Sequence, residues 1–383
     1  MLASLLLVLA QAATPSAPAE DVVVIGRRAE EDLAGCLARS CPPAEEVEAS
    51  LQAPVEQFVG RRYRDARRTL QQAIRRNRDH AAEMPGPVSS LYATLATVAE
   101  HEGDPKLWLV SARNNVLVLR QHLGAGDSAT LAQELVFADT MIGLNQRPSA
   151  EAIYRRVQQT AAQNGQLKLA GGAAFRRAWL ELMARRDKEA IRLADEAVAI
   201  AGADNRLMIE LRDILQMRIA LRRGDEGAVD ALAERLRQSA TEQPRLLFAP
   251  PIEDINADQL PIEKNPAHDS GIRIADVGYW IRPDGRTAEA EVLGASGLGQ
   301  WKTGILQHIS RRRYAALAVE PGDPGIYHID RFTVRGTIGI PTGSRIPMRM
   351  GNLTVHIIDL TETDAMSAAN RKRTIEATAR HGA

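Results

Sequence analysis

The sequence predicts a multidomain chain, an α-helical repeat followed by a small α+β domain. Three observations lead there. The length of 383 residues is two to three times that of a typical domain. From about residue 55 to residue 238 apolar side chains recur at three- and four-residue spacing, the period of helices packed on one face. Beyond residue 270 the period falls to two and turn residues separate the runs, the pattern of strands. Composition bounds the rest. The chain carries 48 Lys+Arg against 48 Asp+Glu, a pI near 7.1, and no basic excess of the kind a nucleic-acid binder shows. A hydrophobic content of 45% argues against disorder, and 4% aromatics leaves the cores to Ala, Leu, Ile and Val. Six of the basic residues are Lys and the other 42 are Arg.

Residues 1–12 read as a signal peptide. A short apolar stretch ends in the small-x-small triplet Ala10-Gln11-Ala12, too short for a membrane span. No Lys or Arg precedes it, so a start further upstream, and with it a longer anchor, stays open. Residues 13–54 are expected to be a spacer. Within it Asp21, Val22, Val23, Val24 and Ile25 form a β-prone run closed by Gly26, and Arg27-Arg28 stands where a dinucleotide fingerprint would continue with glycine. The run resembles the short extended TonB box near the mature N-terminus of outer-membrane receptors, which implies a candidate strand-pairing segment. Cys36 and Cys41 are the only cysteines. In an exported chain they are expected to pair, closing a small loop worth about 2 kcal/mol on a chain-entropy argument. The bond requires a helix end between them, because within a straight helix the two Cα atoms are too far apart.

The helical region is taken as residues 55–240. Val59, Tyr63, Ala66, Leu70, Ala73 and Ile74 make one stripe of its first helix, crowded by Arg61, Arg62, Arg64, Arg67, Arg68, Arg75, Arg76 and Arg78. Arg61, Arg64, Arg68 and Arg75 are the candidate basic interaction face. Further on, Ala152, Ala190 and Ala228 are spaced by 38 residues and are followed by Ile153, Ile191 and Val229. A period in the thirties, with small residues at a helix crossing and a turn before the second helix, is a solenoid signature. The region resembles tetratricopeptide repeats, which implies a concave groove for extended peptides or partner helices.

Residues 241–270 form an acidic, Pro-rich linker, with Glu242, Glu253, Asp254, Asp258, Glu263 and Asp269 against Arg245 and Lys264. It is a candidate to lie on the Arg-rich first helix. In residues 271–362, Ile272 to Ile281 read as a strand with a bulge near Asp276, and Pro283-Asp284-Gly285 as a turn. Ala288, Ala290 and Val292 complete the hairpin, and a helix spans residues 300–314 with Trp301, Ile305, His308 and Ile309 on one face. The basic Arg311-Arg312-Arg313 is placed near its C-terminus, where the dipole favours positive charge. Strands follow at about 326–338 and 352–360. The run Val277-Gly278-Tyr279-Trp280-Ile281-Arg282-Pro283-Asp284-Gly285-Arg286, then Glu289-Ala290-Glu291-Val292-Leu293 with Ser296-Gly297, and the exit Arg311-Arg312-Arg313-Tyr314 carry a further resemblance. They are similar to the C-terminal domain of TonB, the energy transducer of Gram-negative envelopes. That resemblance implies a sheet-and-helix unit whose exposed edge strand accepts a peptide strand. It does not extend to transduction, because the chain as numbered has neither the family's anchor nor its long Pro-rich spacer. Residues 363–383 are expected to be a helical, partly frayed tail.

No catalytic constellation emerges. The eight histidines form no H-x-H and no H-E-x-x-H, and Leu298 breaks the nucleophile-elbow pattern after Ser296. The expectation is a non-enzymatic, exported, periplasmic protein-interaction protein with no cofactor, metal or nucleic acid. It would bind envelope proteins through its groove, its sheet edge, or both. Two other readings stay open: a structural adaptor using the repeats alone, and an enzyme with a site assembled between domains.

Overall fold

The computed structural model describes residues 28–236, 243–252, 272–297, 301–320, 322–340, 342–346 and 348–361. The expected signal peptide, the segment from Asp21 to Ile25, most of the acidic linker and the tail lie outside these residues.

Helices begin earlier than the periodicity indicated. α1 (Arg28–Ala38) and α2 (Pro43–Val59) occupy what reads in sequence as spacer. The stripe from Val59 to Ile74 is split between α2 and α3 (Tyr63–Asn77), and a turn at Gly60, Arg61 and Arg62 separates them. The remaining helices are α4 (Pro85–Glu102), α5 (Pro105–His122), α6 (Ser128–Gly143), α7 (Arg147–Gln163), α8 (Leu167–Met183), α9 (Asp187–Ala201), α10 (Arg206–Arg222) and α11 (Ala228–Arg235). Their starts are written in the sequence. Asp104, Asp127 and Asn205 accept backbone N–H groups of the first turns of α5, α6 and α10, and Pro105 sits at the first position of α5.

Among the described residues α2 to α11 form five antiparallel hairpins, each closed by the same device. The linking residue is left-handed, at Arg61, Gly103, Asn145, Arg185 and Gly224. The next N–H then reaches back five residues, as in Arg62 to Gln57 (2.7 Å), Asp104 to Ala99 (3.0 Å), Gln146 to Met141 (2.7 Å), Arg186 to Glu181 (2.9 Å) and Asp225 to Ala220 (3.1 Å). The packing is therefore that of a helical repeat, at a period nearer 40 than 38. Its register also differs from the one the alanine spacing indicated. Ala150, not Ala152, is the buried counterpart of Ala190 and Ala228, and Ala152 is exposed. The fixed point is the distance from the left-handed turn residue, five positions in both α7 and α9, which an alanine pattern alone does not reveal.

Small residues let α8 and α9 approach closely. Ala174 and Ala178 are fully buried, as are Ala190, Ala194 and Ala197 opposite, while Ala170 and Ala173 are buried toward α6 and α7. Arginines clamp helices from outside. Glu134, almost wholly buried, takes both Arg120 and Arg156, and Asp187 takes Arg222 and Arg223. A planar five-donor head that remains charged suits this bridging better than lysine, which fits the arginine-heavy composition.

The C-terminal part is a four-stranded antiparallel sheet in the order β3-β2-β5-β6, with β2 (Arg273–Ile281), β3 (Thr287–Ser296), β5 (Ile326–Gly339) and β6 (Met348–Asp359). The β2–β3 hairpin turns at Gly285, which takes φ +77°, and its register shifts between Asp276 and Val277, as the sequence offset predicts. Helix α12 (Trp301–Ser310) stops four residues short of the expected end. Arg313 and Tyr314 instead form β4, which pairs with β1 (Leu246–Phe248), so part of the linker is structured. The sheet has protein on both faces. Ala275, Val277, Tyr279, Ile281 and Phe332 pack with Ile305 and Ile309 of α12. Ile274, Trp280, Tyr327, Ile329 and Leu360 pack instead with Phe58, Tyr63, Leu70, Leu91 and Val98 of α2, α3 and α4. At the other end of the repeat, Leu247 is buried against Met217, Leu232 and Leu236.

A Cβ at Gly171 would stand 2.7 Å from the Ala201 Cβ and 2.9 Å from the Ala197 carbonyl oxygen. Gly171→Val is therefore expected to lower stability by about 2 kcal/mol, measured as a fall in urea midpoint at unchanged slope.

Candidate functional site

Polar chemistry concentrates on the two faces of β5. On the face toward the helices stand Arg331, Thr333 and Arg335. The Arg331 side chain is 0% exposed. Its Nε and Nη2 form a fork onto Asp276 of β2, at 2.6 and 2.9 Å. Nη2 also donates to the Val59 carbonyl at 2.6 Å, and Nη1 to the Phe58 carbonyl. These carbonyls belong to the last turn of α2, where acceptors lack intrahelical partners and the dipole is negative. The guanidinium lies 5.5 Å from the Phe58 ring centroid. Asp276 is further satisfied by Arg61, 3.1 Å away.

Arg335, four positions along the same face, repeats the arrangement one hairpin later and donates to the Glu100 carbonyl in the last turn of α4. Burial lowers its charge affinity to a pKa of about 10, with Glu100 pulling the other way. Between the two arginines, the Thr333 hydroxyl shares a 2.7 Å hydrogen bond with His101 Nδ1. His101 is buried edge-on to Phe58, and burial, reinforced by the charges of His356, Arg335 and Arg331, lowers its pKa to about 3.

The opposite face carries a second buried network. Arg312 reaches Asp330 Oδ2 and donates to the Tyr279 hydroxyl at 2.7 Å. That hydroxyl in turn donates to Asp330 Oδ2 at 3.0 Å and lies 2.8 Å from the Tyr314 hydroxyl. Burial opposes the Asp330 charge, but hydrogen bonds and charge from His328 and Arg312 outweigh it and hold the carboxyl below its usual range. His308 is lowered to about 4, by burial first and by the Arg312 charge second. The expectation that Arg312 lies within the C-terminal turn of a helix running to residue 314 is thus corrected. Because α12 ends at Ser310, the chain turns inward and Arg312 is buried against the sheet.

The sequence-predicted residues fall as follows. Cys36 and Cys41 are joined by a disulfide, with Cα atoms 5.1 Å apart where α1 has ended. Arg64, Arg68 and Arg75 are exposed on α3, while Arg61 leaves that face to pair with Asp276, so the four do not form one surface. Several neighbouring arginines have intramolecular partners: Arg62 with Glu30, Arg67 with Glu102 and Asp104, Arg76 with Glu46. The described part of the linker lies on α10 and α11, with Arg245 paired to Glu210, and not on α3. Arg331, Arg335, Asp276 and His101 carry no sequence motif. The one available signal is the alternation Arg331-x-Thr333-x-Arg335, which by period alone reads as a solvent face.

No protein-family model matches the chain, and no curated protein matches it. Among solved structures, BtubC (BKLC) from P. vanneervenii is similar at a TM-score of 0.44 and 14% identity, over 58% of this chain and 91% of that one. A likeness that distant says nothing of function.

Arg331→Met leaves Asp276 buried with one of its two arginines and removes the side-chain donor from the Val59 carbonyl, while the Phe58 carbonyl keeps the Arg61 N–H. Its expected cost is about 3–5 kcal/mol in chemical denaturation. The histidines add a pH dependence. The folded chain resists protonation at His101 until about pH 3, whereas the unfolded chain accepts that proton near 6.5. Stability from this source is unaffected above about pH 6.5 and is lost as the pH falls from 6.5 toward 3. His101→Asn, which can keep the Thr333 hydrogen bond, should flatten the fall in melting temperature over that window.

Proposed function

We propose that the protein is a non-enzymatic, exported interaction protein of the cell envelope. In this reading tetratricopeptide-like repeats hold a TonB C-terminal-like domain that binds an extended segment of an envelope protein by strand addition. The element order strand, Pro-Asp-Gly turn, strand, helix, strand supports the domain reading. The observation that carries the binding mode is the edge strand β6. The Leu360 N–H donates to the Ile329 carbonyl at 2.9 Å, and the register pairs His356 with Thr333 and Ile358 with Arg331. Even-numbered backbone groups therefore face β5, and those of Val355 and Ile357 point away from the sheet. Ile357 is itself an exposed large apolar residue. Such an edge gives affinity through backbone hydrogen bonds and selects side chains at alternate positions. The other edge, β3, is less suited: Glu289 at φ 50° and the register shifts along β2 interrupt it.

A second reading has an observation in its favour. The sheet docks on α2, α3 and α4 through Arg331, so the C-terminal domain also serves as a cap, as a structural adaptor would require.

Ile357→Pro removes an outward N–H without touching the β5 ladder. In cross-linking to an envelope fraction, the partner band should weaken at least about fivefold, the worth of one backbone hydrogen bond, with melting unchanged. His356→Pro, which breaks the ladder itself, should lower the melting temperature instead. Undiminished cross-linking by Ile357→Pro favours the adaptor. N-terminal sequencing of the secreted protein should show cleavage after Ala12.

A further inference from the structure

We propose that His328, Asp330 and Asp359 form a divalent-cation site of the imidazole-dicarboxylate type, suited to zinc. His328 and Asp330 are two apart on β5 and so share a face, and Asp359 of β6 is the direct register partner of Asp330. The hydrogen-bonded pair Leu360–Ile329 next to them makes Asp330–Asp359 a non-hydrogen-bonded pair, the position where opposed side chains come closest. His328 Nε2 lies 3.2 Å from Asp330 Oδ1 and 3.7 Å from Asp359 Oδ1. The three donor atoms all lie within 4.8 Å of one another. Ligands about 2.1 Å from a tetrahedral zinc stand roughly 3.4 Å apart, so an ion fits with small side-chain adjustments.

The surroundings orient these groups. Asp330 Oδ2 is engaged by Arg312 and the Tyr279 hydroxyl, while Oδ1 shares a 3.2 Å hydrogen bond with His328 Nε2 that an ion, displacing the imidazole proton, would replace. Asp359 Oδ1 accepts the Thr361 N–H at 2.7 Å, and the His328 ring rests 5.2 Å from that of Tyr279. Two aspartates directly opposite across a strand pair repel. Arg312 neutralises the inner one, and the outer one meets the His328 imidazole and the Thr361 N–H, with no cationic arginine or lysine paired to it among the described residues. The Asp359 side chain is 48% exposed, whereas those of Asp330 and His328 are 5% and 13% exposed. The site thus opens to water on one side, with an entry path and room for solvent ligands. One imidazole with two carboxylates suits zinc and its first-row neighbours better than an all-oxygen calcium cage does. A bound ion would clamp β6 onto β5 and stabilise the sheet by mass action.

The test uses the full chain, stripped with a chelator and titrated with zinc chloride by calorimetry, with melting recorded with and without zinc. The expected result is one saturable site and a zinc-dependent rise in melting temperature. His328→Gln and Asp359→Asn should each weaken binding by more than roughly tenfold and abolish the rise. Asp359 is half exposed, so Asp359→Asn should melt like the wild type without zinc; if His328→Gln fails to fold, Asp359→Asn alone decides. Absence of saturable binding overturns the proposal. So does binding, with its melting shift, that survives Asp359→Asn.

Discussion

One buried arginine joins the two parts of this protein. Arg331 is paired to Asp276 inside the sheet, while its remaining donors end helix α2, 273 residues away in sequence. A charge removed from water is tolerated only when its donors are met, and here they are met by partners from both parts at once. Separating sheet from helices would remove these direct contacts between the guanidinium and the Phe58 and Val59 carbonyls and return both surfaces to water. Arg335 extends the same logic to α4, so the strand reads the ends of two successive hairpins.

The repeat makes this matching possible. Because each hairpin turns through the same left-handed device, the C-termini of α2 and α4 present similar carbonyl ends to β5. A strand with arginines four residues apart covers roughly 13 Å between them, more than the roughly 8–10 Å between the axes of neighbouring packed helices, so the long side chains reach both helix ends. His101 fills the gap between the arginines, and its neutrality at physiological pH keeps a third positive charge out of the interface. The sheet is then bounded by helices on one face and by α12 on the other, so among the described residues its outer strands β3 and β6 are the edges of the ladder.

Much of this was legible from local chemistry. The change from a helical to an alternating period, the Pro283-Asp284-Gly285 turn, the bulge at Asp276 and the face of α12 follow from residue types and spacing, because each depends on neighbours in the chain. The repeat was legible in kind and not in register. Alanine at Ala152 and Ala150 looks alike in sequence, and only the turn geometry at Asn145 decides which is buried. The end of α12 was misplaced because no proline or glycine marks it between Ser310 and Tyr314. The basic face of α3 was overdrawn, since Arg61 precedes the helix in a left-handed conformation and turns toward Asp276.

The sequence by itself determined the change from a helical repeat to a hairpin, helix and two further strands, the use of alanine at helix crossings, and the pairing potential of an arginine-rich, charge-balanced chain. Tertiary structure decided which polar row is buried. Period two states that Arg331, Thr333 and Arg335 share a face. It does not state whether that face meets water or the ends of two helices, because the helix-end carbonyls that take its donors lie more than two hundred residues away and even the paired Asp276 is 55 residues distant. The same holds for His328, Asp330 and Asp359, which become one cluster only when the register of β5 against β6 places Asp359 opposite Asp330.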